Sequence, residues 1–323
     1  MPKNNNLKPT KFPMEIRFGE KPRTEYKNVI ENIKVTLKSA PSMQELRNYL
    51  VDFVTATWED IPTRNSETMT EVEKDKIIYM IFQEKILPSA QENIRLTFLL
   101  EGISYQDVSH ILRYREATFS AECSADKWWS HKNIVVPTSI QNSPEFLERY
   151  KKLHEDMKNL YVDMIDSREI SLIDARYILT RACETYYWMS MSLREALKFV
   201  RHRIDKQIQP ESDNILAYRM WEALITQYPL LVDCVNIHQP AGFYVNTART
   251  NRSTNLFQPD VDSDIYEWNE ADYLYGRERQ KVNGTNEVES LLYTPFLWAL
   301  EHLDKYIEKV RKDNIERYGS EFF

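Results

Sequence analysis

The chain is short of glycine and cysteine, has no surplus of basic charge and contains no long apolar run, and each shortage removes a class of protein. Six glycines in 323 residues, against 19 tyrosines, 13 phenylalanines and 7 tryptophans, exclude collagen-like and low-complexity chains, which are built on glycine and proline. Cys123, Cys183 and Cys234 stand far apart with no CxxC pair, so neither a disulfide framework nor a zinc ribbon is available. No stretch approaches the roughly 20 apolar residues that span a bilayer. The opening MPKNNNLKPTKFP is polar and lacks the apolar centre of a signal peptide. A cytoplasmic protein with no membrane partner is expected. A net charge of -7 opposes a surface that neutralises phosphate backbones, so no nucleic-acid partner is expected either. His131, His154, His202, His238 and His302 show no HExxH or similar spacing, and no metal site is expected.

What is present is the composition of a folded protein, 42% hydrophobic and 28% charged, with enough chain for one large core or two modest ones. Three parts are expected: an N-terminal arm and extension over 1–65, a core over 66–235, and a C-terminal extension over 236–323. Val29, Ile33, Leu46, Leu50 and Val54 predict short helices between 26 and 60, and the polar run to Thr70 breaks them. A helix over 76–85 stops at Pro88. The run NIRLTFLL, 93–100, reads as a buried strand. Ser104 and Asp107 have capping-box spacing and open a helix, striped by Val108, Ile111 and Leu112, that delivers Arg113, Tyr114 and Arg115 at its C-terminal end. The stretch from Glu116 to Trp129 reads as an ordered loop. Phe146, Tyr150, Leu153, Met157, Leu160 and Met164 recur at helical spacing and predict an amphipathic helix over 145–166. Ser171 with Asp174 caps another helix carrying Arg176, and a third runs from about 192 to 207. The polar stretch 238–290 reads as loops, and Thr294-Pro295 opens a terminal amphipathic helix.

Arginine is the residue type that suggests chemistry. Projected at 100° per residue from Leu193, the residues Ala196, Leu197, Val200, Ile204 and Ile208 share one arc, while Arg203 falls at about 280°, on the border of that face. A guanidinium there either snorkels to water or finds an oxygen-bearing partner, because an unpaired buried charge is costly. Two readings stay open: a structural ion pair with an Asp or Glu, and a ligand-facing arginine holding a phosphate or a pyrimidine carbonyl. With Arg176, Arg113 and Arg115 on neighbouring elements, a pocket for an anionic nucleotide is plausible in an otherwise acidic protein. Trp128 and Trp129 read as core or interface anchors before stacking platforms.

Two segments carry a resemblance. Arg113-Tyr114-Arg115, followed by Glu116 to Ser120 and then, with one residue inserted, Glu122 and Ser124, is similar to an RHRxxS signature and its Asn-Glu-x-Ser continuation. Ala175-Arg176-Tyr177-Ile178-Leu179, then Thr185, Arg194, Phe199, Arg203, Gln209 and Glu211, resembles, without gaps, the ARxxLP … T … NxRxLxxFLxxRxxxxAQxE pattern of the flavin-dependent thymidylate synthases. The resemblance spans roughly residues 70 to 230.

It implies an α+β (α/β) fold, a central sheet flanked by long helices, with extensions at both ends. It implies reductive methylation at C5 of a pyrimidine deoxynucleotide, dUMP to dTMP, using FAD, NADPH and 5,10-methylenetetrahydrofolate. A homotetramer is implied, with sites between subunits. Ser89, Arg113, Tyr114, Arg115, Ser192, Arg194 and Lys198 would lie along the flavin. His110, Glu122, Ser124, Arg176 and Arg203 would line the nucleotide pocket, with Arg203 drawing electron density from the ring and Glu122 and Ser124 acting beside it. Cys123, the nucleophile type of the other thymidylate synthase class, reads as packing.

The chain departs from the pattern at Tyr114 for histidine, Thr180 for proline and Ser192 for asparagine. Asp126 or Lys127 stands where the family has a nucleotide-binding arginine. An altered outcome, dCMP as substrate or hydroxymethylation as product, is the alternative that these departures motivate. A non-catalytic helical interaction protein is the alternative from another class.

Overall fold

The computed structural model describes residues 17–58, 64–82, 86–122, 128–203, 211–235, 308–310, 312–313 and 315–316. The expectations for residues 1–16, for the loops of 238–290 and for the start of the terminal helix lie outside these residues. Of that helix, 308–310 are helical and Val310 packs into the main core.

The chain enters through strand β1 (Tyr26–Asn28), helix α1 (Val29–Asn32), strand β2 (Lys34–Ser39) and helices α2 (Met43–Trp58) and α3 (Glu71–Phe82). A 3-10 turn over Pro88–Asn93 leads to strand β3 (Arg95–Ser104), helix α4 (Tyr105–Ile111) and strand β4 (Thr118–Ala121). A second 3-10 turn, Trp129–His131, precedes strand β5 (Ile134–Val136) and helices α5 (Thr138–Gln141), α6 (Pro144–Asp166) and α7 (Leu172–Ala175). A third, Arg176–Ile178, precedes strand β6 (Glu184–Ser192) and helices α8 (Leu193–Arg203), α9 (Glu211–Gln227) and α10 (Leu231–Cys234).

Four strands form an antiparallel sheet in the order β2-β3-β6-β4, and β1 pairs with β5 in a separate parallel pair. Along β3 the buried residues Leu96, Phe98 and Leu100 alternate with more exposed neighbours, and Thr185, Tyr187, Met189 and Met191 do the same along β6. One face of the sheet is therefore apolar and covered by helices, the pattern of a one-sided antiparallel sheet. Its core joins Leu50, Ile78, Phe98, Met191, Phe199 and Trp221. A smaller cluster, with Trp129, Ile134, Tyr161 and Cys183, lies where α6 packs beside the second 3-10 turn.

The mixed helix-and-sheet class agrees with expectation, as do α6, the strand after Asn93 and the Ser104 cap. Ser104 Oγ accepts from the Asp107 amide at 3.3 Å, and Asp107 Oδ2 accepts from the Ser104 amide at 2.7 Å. Other details differ: strand β6 was not expected, and α7 ends at Ala175, so Arg176 stands on the 3-10 turn after it rather than on the helix. The region 26–60, expected to be helical, also holds β1 and β2. The stretch read as a loop holds β4, hydrogen-bonded along β6 from Thr118 to Ala121. Helix α4 ends at Ile111, so Arg113, Tyr114 and Arg115 follow it rather than ride on it. Polar strands such as KVTLKS show no apolar run, and cross-strand partners, not local propensity, hold them extended.

Candidate active site

Helix α4 separates two clusters. At its C-terminal end, Arg203 donates to Asp213 from the first turn of α9 and, at 3.0 Å, to the His110 carbonyl. Asp213 Oδ2 also lies 3.1 Å from His110 Nδ1. The carboxylate is 1% exposed and the guanidinium 13%, and the guanidinium sits over the Phe199 ring at 5.4 Å. The border position on the helical wheel is thus resolved by an acidic partner plus an aromatic face. Tyr114 joins the same cluster: its ring packs edge-on to Phe199 at 5.2 Å and its hydroxyl donates to the Glu195 carboxylate. Burial first, then that carboxylate, push the phenol pKa well up, so the hydroxyl stays a donor.

The other residues expected beside a flavin lie along α8 and its neighbours. Arg194 reaches Glu92 on the first 3-10 turn, which also carries the exposed Ser89. Lys198 is exposed, 3.5 Å from Glu195. Arg113 and Arg115 are exposed. Ser192 is buried, and its hydroxyl accepts from the Glu195 amide at 3.2 Å, so it serves the start of α8.

At the N-terminal end of α4, a cleft of about 260 Å³ is lined by Tyr105, Trp129, Tyr177, Leu179 and Thr180, with Arg176 and Arg181. Arg181 is steadied by Gln106 at 3.2 Å. Trp129 is fully buried against Tyr105, ring centres 5.4 Å apart, and burial pushes the Tyr105 phenol up to about 12. Beside the cleft, the buried Glu122 accepts from Lys132 at 2.6 Å and from the Thr185 hydroxyl at 3.1 Å. Lys132 lies 5.7 Å over both the Trp129 and Tyr186 rings. Thr180 at the cleft wall is bound by His154 Nε2 at 2.8 Å, while His154 Nδ1 faces the Tyr150 carbonyl at 2.7 Å. A carbonyl only accepts, so Nδ1 carries the proton and Nε2 accepts from Thr180. Burial lowers the His154 pKa and keeps this neutral form.

Arg176 and Arg203, expected to converge, thus belong to two clusters at opposite ends of α4, about 8 Å apart along its axis at 1.5 Å per residue. His110 joins Arg203, Glu122 stands beside the Arg176 cleft, and Ser124 lies outside the described residues. Sequence reasoning missed Asp213, Arg181, Tyr105 and Lys132. Asp213 carried one usable signal, an acidic residue in the first turn of a helix.

Cys183 and Cys234 are buried and burial raises both thiols, the opposite of what a nucleophilic cysteine requires. Among the described residues, no cluster of three or more His, Cys, Asp or Glu could hold a metal ion, and no helix is long and apolar enough to cross a membrane. His202 near the end of α8 is held neutral, chiefly by burial and then by Lys198 and Arg203, with its pKa lowered to about 4. Its unfolded form takes up a proton below about 6.5. This group therefore makes stability fall as pH drops from about 6.5 towards 4. Urea midpoints across that window should show the loss, and His202→Gln should flatten it.

Residues 27–230 match the model of the family described as thymidylate synthase complementing protein. The flavin-dependent thymidylate synthase of Pyrococcus furiosus is 28% identical over 174 residues, which cover 52% of this chain and 69% of that protein. The enzyme of the same name from Thermococcus onnurineus is 28% identical over 179 residues, 51% of this chain and 71% of that protein. Among solved structures, the UMP/dUMP methylase PolB of Streptomyces cacaoi with bound 5-Br dUMP aligns with a TM-score of 0.54 at 16% identity. That alignment covers 65% of this chain and 96% of PolB. At that identity the likeness speaks for the fold, and it agrees with the sheet and flanking helices described above. The chain belongs to the thymidylate synthase complementing protein family and is an enzyme of its methyltransferase type.

Proposed function

We propose that this enzyme methylates C5 of a pyrimidine deoxynucleotide, dUMP to dTMP, with FAD as cofactor, 5,10-methylenetetrahydrofolate as carbon donor and NADPH as reductant. The observation that carries the reading is the cleft beside α4, where two guanidinium groups, Arg176 and Arg181, border aromatic walls from Tyr105 and Trp129. Paired arginines suit a phosphate, and aromatic walls suit a planar base. The likeness to relatives named flavin-dependent thymidylate synthases supports the same substrate class.

In the reaction the C5 proton leaves, a carbon–carbon bond forms to the donor's methylene, the methylene's two carbon–nitrogen bonds break with release of tetrahydrofolate, and a hydride equivalent drawn from NADPH completes the methyl group. Bound FAD supplies the two-electron chemistry of that last reduction. Arg194, which reaches Glu92 on the turn that carries Ser89, and the solvent-facing Arg113, Arg115 and Lys198 are the cations that would hold the diphosphate of such a cofactor. Arg203, held by Asp213 in the other cluster, would meet the pyrimidine carbonyl from a neighbouring subunit of the assembly and stabilise charge that develops on the ring. Glu122, beside the cleft, and Ser124 would contact the nucleotide within one subunit.

We further infer a homotetramer. Phe146, Leu153 and Leu160, spaced by seven residues on α6, are 57%, 59% and 47% exposed, an apolar stripe of the kind that packs against another helix.

The test is the visible spectrum of the pure protein followed by mass analysis of its product. A flavin band, and a mass gain of one methyl on dUMP, are expected. A colourless protein inert toward dUMP, UMP and dCMP would refute the reading, and a hydroxymethyl product or turnover of dCMP alone would replace it. Arg176→Ala should weaken dUMP binding about 10- to 100-fold in calorimetry, the worth of one charge-assisted hydrogen-bonded pair.

A further inference from the structure

Midway along α6 a lysine faces inward. Lys158 is 0% exposed, and its ammonium donates to three main-chain carbonyls: Arg23 at 3.1 Å, Ser130 at 3.3 Å, and Lys132. Among the described residues no carboxylate pairs with it, and burial draws its pKa down to about 8. Carbonyl dipoles alone compensate the charge, a costly arrangement that an apolar side chain of the same length would avoid. What the ammonium adds is geometric. Two of its carbonyls belong to, or directly follow, the 3-10 turn Trp129–His131, and the third belongs to Arg23, whose own amide donates to the Ser130 carbonyl at 3.1 Å. That turn carries Trp129 in the cleft wall and runs into Lys132, which holds Glu122.

We propose that Lys158 is a positioning residue for the cleft: by gathering the Ser130 and Lys132 carbonyls, its ammonium sets the turn that presents Trp129 and the Lys132–Glu122 pair. The link to binding rests on the reading of the cleft as a nucleotide site. An apolar side chain would take the ammonium's donors away from those buried carbonyls, leaving Ser130 with the Arg23 amide alone, and the turn would relax towards water. Small displacements of a positioned wall are enough to weaken a fitted ligand.

The experiment compares the full-length protein with Lys158→Met and Lys158→Gln, the second retaining two N–H donors without charge. Amide hydrogen exchange is followed over residues 128–134, β3 and α6, and dUMP affinity is measured by calorimetry. In Lys158→Met, exchange over 128–134 should quicken while β3 and α6 keep their protection, and the Kd for dUMP should rise about tenfold. Lys158→Gln should fall between the two. Should Lys158→Met fail to fold, Lys158→Gln carries the same comparison.

Unchanged exchange over 128–134 would overturn the proposal. So would a uniform loss of protection, which marks a purely structural lysine, or faster local exchange with unaltered dUMP affinity. Wild-type protein that binds no dUMP would sink the nucleotide reading alone, because exchange over 128–134 still decides whether Lys158 sets the turn.

Discussion

Replacing Asp213 with alanine will lower the stability of the protein by about 3–5 kcal/mol, the cost of leaving a buried charge without its partner. Asp213 is essentially inaccessible and its Oδ2 is shared by Arg203 and His110, while Arg203 is only slightly exposed. Truncation strands the guanidinium beside the Phe199 ring, where water reaches it poorly. Asp213 also sits in the first turn of α9, where a negative charge favours the helix dipole, so its loss costs a little more. The measurement is urea unfolding with the midpoint and slope fitted separately.

A second variant separates stability from chemistry. The pair Arg203→Met and Asp213→Leu removes both charges and should recover most of the lost stability, since a buried ion pair replaced by apolar groups of similar volume is often neutral. Turnover should not recover, because the guanidinium is gone. Full activity in that double variant would exclude Arg203 from the reaction. Asp213→Ala with wild-type stability would instead show that the pair is hydrated and of little structural consequence.

The second large effect is at Gly102. Gly102→Ala should destabilise the protein by at least about 3 kcal/mol, because backbone strain and a steric clash act together. Gly102 lies in β3 between Leu100 and Ile103, where the pairing with β6 shifts register, and its φ is +72°. That region of backbone space disfavours any residue with a Cβ. A Cβ there would also stand 2.0 Å from the Asn32 carbonyl oxygen, a contact that forces main chain to move. Asn32 cannot retreat cheaply, since its amide donates to the Gly102 carbonyl at 3.0 Å and to Glu184 at 3.3 Å. Two residues onward Ser104 caps α4, so the distortion passes to the helix that separates the Arg203 and Arg176 clusters. Urea unfolding and dUMP affinity should both register the change, and a variant within 1 kcal/mol of wild type by the same method would show that β3 relaxes freely.

How far these features could be read beforehand depended on the range of the interaction. Helix α6 was legible because six apolar residues recur at helical spacing, and the start of α4 because Ser104 and Asp107 satisfy each other within three residues. Strand β6 was not recognised, although Thr185, Tyr187, Met189 and Met191 alternate inward. The intervening Tyr186 and Trp188 are as apolar as the buried set, which hides the period of two. Lys158 left a faint mark, a lysine between Met157 and Tyr161 on the inward face of α6. Nothing local announced the carbonyls of Arg23, Ser130 and Lys132.

By itself the sequence determined where helix α6 runs, where α4 and α7 are capped, that Arg203 sits at an apolar border, and which family pattern the arginines follow. Only the tertiary structure decided that Arg203 meets Asp213, that Arg176 faces an aromatic cleft at the other end of α4, and that Glu122 is held by Lys132 and Thr185. Periodicity and capping are set by neighbours within one or two turns of chain. The partner of a buried charge comes from a distant segment, chosen by where the packed core brings the backbone.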